Sequence, residues 1–260
     1  MRSEHQLRKD ICEVGRRLYQ KGMIAAADGN ISVRMENGHL LVTPSGRNKG
    51  RLDEEDLVVT DADGRKLYGK LEPSSEIVMH LVAYRERADV CAVVHAHPPH
   101  ATGFAVAGVP LDQPLISEVV LTLGTIPLAE YGTPTTPELA AAIEPYVRDH
   151  DAILLANHGA MASGRDVFSA YDRMETLEHF AHIWMVARIL GEERPLSAEN
   201  VAKLEAIRRR AHFEPRAQAC FTCPVLEEKI GGKDPEKIHV TRDQLVELVA
   251  DVVKGLTGAS

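Results

Sequence analysis

Basic residues are in short supply: 30 Lys and Arg stand against 38 Asp and Glu in a chain of 260 residues, a formal net charge of −8. Binding a phosphate backbone needs a basic face, so this balance argues against a nucleic-acid surface. An anionic small substrate stays open where local donors serve it, and Arg47, Lys49 and Arg51 form one such local group. Long apolar runs are also missing. The N-terminal stretch MRSEHQLRKD has no apolar signal core, and nothing approaches the roughly 20 apolar residues that span a bilayer. A soluble, cytoplasmic protein with no membrane partner is the expectation. The four cysteines, Cys12, Cys91, Cys220 and Cys223, are too few and too dispersed for a disulfide framework in a chain this long. Cys220 and Cys223 make a CxxC, but without a second pair or neighbouring histidines they read as reduced thiols. No internal repeat is present.

What the chain does have is ample material for a sizeable core, with 44% apolar residues. Leu7, Ile11, Val14 and Leu18 recur at spacings of three and four, which predicts an amphipathic helix over 4–21 that stops at Gly22. Residues 31–33 and 39–43 read as strands of a hairpin around Asn37-Gly38, a pair that tolerates positive φ. A further strand is expected at 57–60. Pro73-Ser74-Ser75-Glu76 opens a helix running to about Arg87, and 90–97 is a buried strand. A short helix follows at 98–105, a strand at 126–129, and a helix over 136–148 with Thr136 as N-cap and Pro137 in its first turn. Residues 152–156 are a short apolar strand, and 166–190 a long helix ended by Gly191. Strands and helices mix without regular βαβ alternation. The expected fold is therefore an α/β three-layer sandwich, a central mixed and mostly antiparallel sheet flanked by helices.

The character of the chain changes after about residue 212. Residues 213–235 are linker-like, and 236–260 hold an amphipathic helix whose stripe is Leu245, Leu248, Val249, Val252, Val253 and Leu256. Residues 1–212 are expected to form the main folded domain. The apolar stripe needs a cover, either the chain's own subunit or neighbour, or a dedicated docking partner.

The chemistry begins at Val93-Val94-His95-Ala96-His97-Pro98-Pro99-His100. Strand side chains alternate, so His95 and His97 project from one face at metal-ligand spacing. Two incidental histidines at a strand end would look the same. Three hydroxyl-rich turns, Gly29-Asn30, Ser45-Gly46 after Thr43-Pro44, and Ser74-Ser75, offer backbone N–H groups and side chains that can cradle a phosphate. Each alone also fits ordinary turn and capping chemistry. Glu76 falls in the first helical turn, where the dipole favours its ionised form. It reads either as a dipole partner or as a carboxylate aimed at the metal pocket. His158, in Asn157-His158-Gly159, is a third histidine at the end of a buried strand.

Taken in order, DGNISVR (28–34), LLVTPSG (40–46), KLEPSSEIVMH (70–80), AVVHAHPPH (92–100) and ILLANHGAMASG (153–164) resemble the class II aldolase/adducin family over roughly residues 5–210. The resemblance implies zinc on His95, His97 and His158, with His100 outside the ligand set. It places a substrate phosphate among Gly29, Asn30, Ser45, Gly46, Ser74 and Ser75, and makes Glu76 the acid/base carboxylate. Adducin-type members, which serve as structural proteins, lack the metal histidines that this chain keeps, so an enzyme is expected. The implied reaction is reversible cleavage of a ketose 1-phosphate of the L-fuculose type to dihydroxyacetone phosphate and an aldehyde such as lactaldehyde. Epimerases, dehydratases and decarboxylases share the three-histidine site, and the 4-epimerases carry Asp where this chain has Glu76. A cyclic homotetramer is the implied assembly.

Two family tyrosines have no counterpart, one aligned with Ile116 and one in the region 210–213. Glu118, close to the first, is the candidate replacement for proton transfer, with a plain interface carboxylate as the alternative. The helix within 236–260 resembles encapsulation peptides, which implies shell proteins of a bacterial microcompartment as a partner.

Overall fold

The computed structural model describes residues 2–210. The expected linker at 213–235, the helix expected within 236–260, and Cys220 and Cys223 lie outside the described residues.

Local signals set the helix ends. Helix α1 (Glu4–Gln20) is capped by the Ser3 side chain, which accepts from the Gln6 N–H, and it buries Ile11, Val14, Gly15 and Leu18. Helix α5 (Pro137–Val147) starts at a Thr136 cap with Pro137 following. Helix α6 (Val167–Leu190) opens on a capping box in which Asp166 accepts from the Ser169 N–H at 2.8 Å, and it ends at Gly191. Between these lie α2 (Ile77–Glu86), α3 (Pro99–Val106) and α4 (Ser117–Thr122), and α7 (Ala198–Arg210) closes the described chain. Patterning alone does not announce α4 or α7; both are short or strongly polar, they pack mainly against one another, and α4 also meets α6.

The strands are β1 (Asn30–Arg34), β2 (Leu40–Val42), β3 (Val58–Thr60), β4 (Lys66–Tyr68), β5 (Ala92–Ala96), β6 (Leu128–Ala129), β7 (Ala152–Leu155) and β8 (Gly159–Gly164). They form one sheet in the order β4-β3-β2-β1-β5-β8-β7-β6, antiparallel throughout except for the parallel β6–β7 pair. The expected mixed, mostly antiparallel sheet is what the molecule has. Two strands were not expected. β4 is an exposed edge, and β8 is the sequence GAMASG, whose small residues have little strand preference of their own.

Helices cover both faces, giving three layers. Ile31, Val33, Val94, Ala96 and Ala160 face α1, α3, α4 and α6, where Trp184 packs on Phe104 and Phe180 with ring centroids 5.3 and 5.5 Å apart. Such aromatic pairs contribute about 0.5–1.5 kcal/mol beyond their buried area. Leu40, Val42, Val93, Ile153 and Met161 face α2 and α5. Because strand side chains alternate, Asn30, Ser32 and His95 share this second face with Val93. The polar residues of β1 and β5 therefore lie under α2.

Candidate active site

The register of the sheet builds the site at one end. Asn30, the first residue of β1, stands opposite His95, near the end of β5, and Ala96 stands opposite Ala160 in β8. His97 lies one residue beyond β5, not inside it as the sequence reading had it, yet keeps the same side. His158 occupies the tight turn between β7 and β8. Asn157 there takes φ 56°, and a Cβ on Gly159 would come within 2.5 Å of the Ala96 carbonyl oxygen and 2.6 Å of His97 Cδ2. Only glycine lets this turn approach β5 so closely.

The three imidazoles converge. His95 Nε2 and His97 Nε2 are 3.1 Å apart, and the ligand-capable atoms of His95, His97 and His158 all lie within 4.8 Å of one another. Two nitrogens on one tetrahedral zinc at about 2.0–2.1 Å each would be about 3.3 Å apart, so the cluster fits a single ion. His95 Nδ1 lies 2.9 Å from the Ala160 carbonyl and donates to it as the neutral ring, which leaves Nε2 as a lone-pair donor. Burial holds the pKa of His95 well below the usual imidazole range, against the pull of Glu76, and lowers that of His97 as well. Neutral rings are what a metal requires. Asp28 Oδ2 lies 3.6 Å from His97 Nδ1 and orients that ring.

Glu76 is placed by α2. It is the residue immediately before the helix, at the N-cap position instead of the first turn, and makes no capping bond. Its side chain turns to the histidines: Oε1 is 3.1 Å from His158 Nε2, and Oε2 is 3.6 Å from His95 Nε2. Asn30 Nδ2 donates to Oε2 at 2.8 Å. Burial alone raises the carboxyl, but the hydrogen bond with His158 and the fields of His95, His158 and His97 outweigh it and bring it down to about 2. The group is an ionised carboxylate beside the imidazole cluster.

The three hydroxyl-rich turns meet at the same end. Thr43 Oγ1 accepts from the Ile31 N–H at 3.0 Å, tying the second turn to the first. The second and third are joined by an antiparallel bridge between Pro44 and Pro73, with Ser45 N–H donating to the Glu72 carbonyl at 3.0 Å and Ser74 N–H to that of Thr43 at 3.1 Å. Gly29, Asn30, Ser45, Gly46, Ser74 and Ser75 thus line one rim, with Ser45 and Ser75 exposed and Ser74 buried.

Other candidates separate from the centre. His100 Nδ1 is 2.7 Å from Glu178 Oε1, and its ring stacks on His182 at 4.0 Å. Glu118 sits exposed on the first turn of α4, and its carboxylate is not among the groups gathered at the histidines. The cations do not form one group: Arg47 and Arg51 are exposed, whereas Lys49 is buried. The sequence reading missed His80, one helical turn beyond Glu76. Fully buried under β1, it has Nδ1 2.7 Å from Ser32 Oγ, which is also 2.7 Å from the Tyr84 hydroxyl, and burial pushes its pKa down to about 3. The spacing Glu76, His80, Tyr84 at i, i+4, i+8 was the available signal.

This fold and this imidazole–carboxylate cluster define a class of protein, and comparison with known proteins identifies it. A profile of the Class II Aldolase and Adducin N-terminal domain matches residues 9–185. The chain is 35% identical to 5-deoxy-D-ribulose 1-phosphate aldolase of Bacillus thuringiensis serovar kurstaki, over 75% of this chain and 93% of the relative. It is 33% identical to 3-oxo-tetronate 4-phosphate decarboxylase of Escherichia coli O6:H1, over 78% of this chain and 97% of the relative. A solved L-fuculose 1-phosphate aldolase superposes with a TM-score of 0.73 at 31% identity, covering 78% of this chain and 96% of that one. The chain belongs to the class II aldolase/adducin family, and it is an enzyme of the class II aldolase type, a carbon–carbon lyase. Among the described residues, no helix is long and apolar enough to cross a membrane.

Proposed function

We propose that this enzyme is a zinc-dependent aldolase that cleaves a ketose 1-phosphate to dihydroxyacetone phosphate and a short aldehyde such as lactaldehyde, and runs the condensation in reverse. The observation that carries the reading is the ionised carboxylate of Glu76 held 3.1 Å from His158 Nε2, beside the imidazole cluster. His95, His97 and His158 would hold the metal, which when bound supplies Lewis-acid polarisation of the substrate's oxygens. In condensation the ionised Glu76 takes the proton from the carbon next to the substrate's carbonyl. In cleavage the C3–C4 bond breaks as the C4 hydroxyl gives up its proton at the aldehyde end, and Glu76, once it has taken up a proton from solvent, passes it to the carbon left electron-rich. Asn30 positions the carboxylate through the 2.8 Å bond to Oε2. Gly29, Asn30, Ser45, Gly46, Ser74 and Ser75 take the phosphate at the rim. Glu118, exposed on the first turn of α4, remains our candidate for proton transfer at the aldehyde end, acting on the site of a neighbouring subunit.

Names of relatives support both an aldolase and a decarboxylase on this scaffold. The two part at the product. Metal-loaded protein is expected to release dihydroxyacetone phosphate from fuculose, rhamnulose, ribulose or 5-deoxyribulose 1-phosphate. Release of carbon dioxide from a 3-oxo acid phosphate without any ketose cleavage would replace the aldolase reading by the decarboxylase one, and epimerised or dehydrated ketose would replace it likewise.

The reading includes a cytoplasmic homotetramer, for which the exposed Ile183, Val186, Ile189 and Leu190 of α6 offer apolar surface. It also includes delivery to microcompartment shell proteins through residues 236–260, supported by their amphipathic pattern.

A further inference from the structure

Lys49 is a buried cation that the reaction outlined above does not use. It lies in a 3-10 turn, Lys49–Arg51, three residues beyond Gly46, with Asn48 as its N-cap. Its backbone is pinned from behind: a Cβ on Gly15 of α1 would come within 2.4 Å of the Lys49 carbonyl oxygen, so the helix and the turn meet with no space for a side chain between them. The side chain therefore runs inward, and Lys49 is only 3% exposed. Its ammonium donates to the Ala27 carbonyl at 2.5 Å, which places it under the loop that carries Asp28, Gly29 and Asn30. The same turn that follows the Ser45-Gly46 corner thus reaches beneath the Gly29-Asn30 corner.

An ammonium has three N–H groups, and among the described residues Ala27 is its one hydrogen-bond partner. A buried cation with unspent donors is costly unless an anion or further acceptors complete it. Asp28 and Glu76 act on it only through their fields, and burial outweighs them, holding the amine at about 8. Asp28 is turned to His97 and Glu76 to His158 and Asn30. The turns of the rim offer hydroxyl and backbone donors but no other buried cation.

We propose that Lys49 is the charged ligand of the substrate's phosphomonoester, donating its remaining N–H groups to a phosphate seated between the Gly29-Asn30, Ser45-Gly46 and Ser74-Ser75 turns. This rests on the phosphosugar reading of the site. It makes the phosphate subsite of this chain a salt-bridged one and not a purely neutral cradle. It also assigns a role to one member of the Arg47, Lys49, Arg51 group and none to the other two.

The test uses the metal-loaded full chain with glycerol 3-phosphate and inorganic phosphate as probes, and glycerol as the unphosphorylated control, in titration calorimetry. Lys49→Met is expected to weaken both phosphate probes about ten- to hundredfold, the range of one charge-assisted hydrogen bond, while Lys49→Arg retains most of the affinity. With a turnover assay, Lys49→Met is expected to raise KM far more than it lowers kcat. In parallel, unmodified protein is acetylated with trace acetic anhydride and the Lys49 peptide followed by mass spectrometry; glycerol 3-phosphate should protect it. That measurement decides the matter if Lys49→Met does not fold. Phosphate affinity unchanged in Lys49→Met, or acetylation of Lys49 undiminished at saturating probe, overturns the assignment while leaving the phosphosugar reading in place. Failure of the unsubstituted protein to bind either phosphate overturns that reading, and the assignment with it.

Discussion

The Glu76 carboxylate lies 3.1 Å from His158 Nε2, although the two residues are 82 positions apart and belong to different elements. The contact exists because α2 crosses over β1 and β5 on the face that also carries His95, and because the β7–β8 turn folds His158 back onto the end of β5. A carboxylate is thereby set against an imidazole cluster without being spent as a helix cap.

Replacing Glu76 with Gln keeps the shape and the bond from Asn30 while removing the proton-transfer capacity. Turnover is expected to fall by about 10²–10⁴-fold, the usual contribution of a positioned acid or base. Metal content, measured by elemental analysis of the purified protein, should stay at the level of the unsubstituted enzyme. Unchanged turnover would remove Glu76 from the chemistry.

His95→Ala removes the imidazole whose Nδ1 is locked on the Ala160 carbonyl. Bound metal and activity are expected to disappear together, with the fold retained by circular dichroism. An active variant stripped of metal would refute the three-imidazole centre.

His80 makes an acid-sensitive element independent of the ligand set. Its folded pKa of about 3 lies below its unfolded value, so below about 6.5 the unfolded chain takes up a proton that the folded one refuses. The stability it contributes is present at neutral pH and is lost as pH falls from about 6.5 toward 3. Between pH 7 and pH 5 this one group should cost about 2 kcal/mol of unfolding free energy. Denaturant titrations at the two pH values measure it; the drop should be smaller by that amount in His80→Gln.

Deleting residues 236–258 is expected to leave soluble turnover intact and to abolish co-purification with microcompartment shell proteins. Should the truncated chain fail to fold, the segment is part of the core and the targeting reading falls.

Much of the molecule was legible in its residues because the signals were local. Thr136-Pro137 caps α5 and Gly191 ends α6 as expected, whereas the Ser3 and Asp166 caps, equally local, went unread. The apolar run before His95 could only be a strand buried on both faces. The motif residues were visible as well, since Gly, Asn, Ser and His in those turns are chemically distinctive. What was not legible depended on partners distant in sequence. GAMASG is a strand because β5 and β7 leave a slot between them for small residues. The i, i+4, i+8 spacing sets Glu76, His80 and Tyr84 on one helix face, but only Ser32 of β1, distant in sequence, shows that this face is buried.

By itself, then, the sequence determined the helix caps, the strand face shared by His95 and His97, and the set of residues available for metal and phosphate. The family motifs already pointed to His158 as a ligand and to His100 as none; the tertiary structure alone decided that Asp28 stands beside His97, that His100 is held by Glu178, and that Lys49 is drawn inward while Arg47 and Arg51 stay in solvent. The reason is physical. A cap or an alternation acts over a few residues of backbone, whereas burial and convergence are properties of surfaces that exist only once the sheet has closed against its helices.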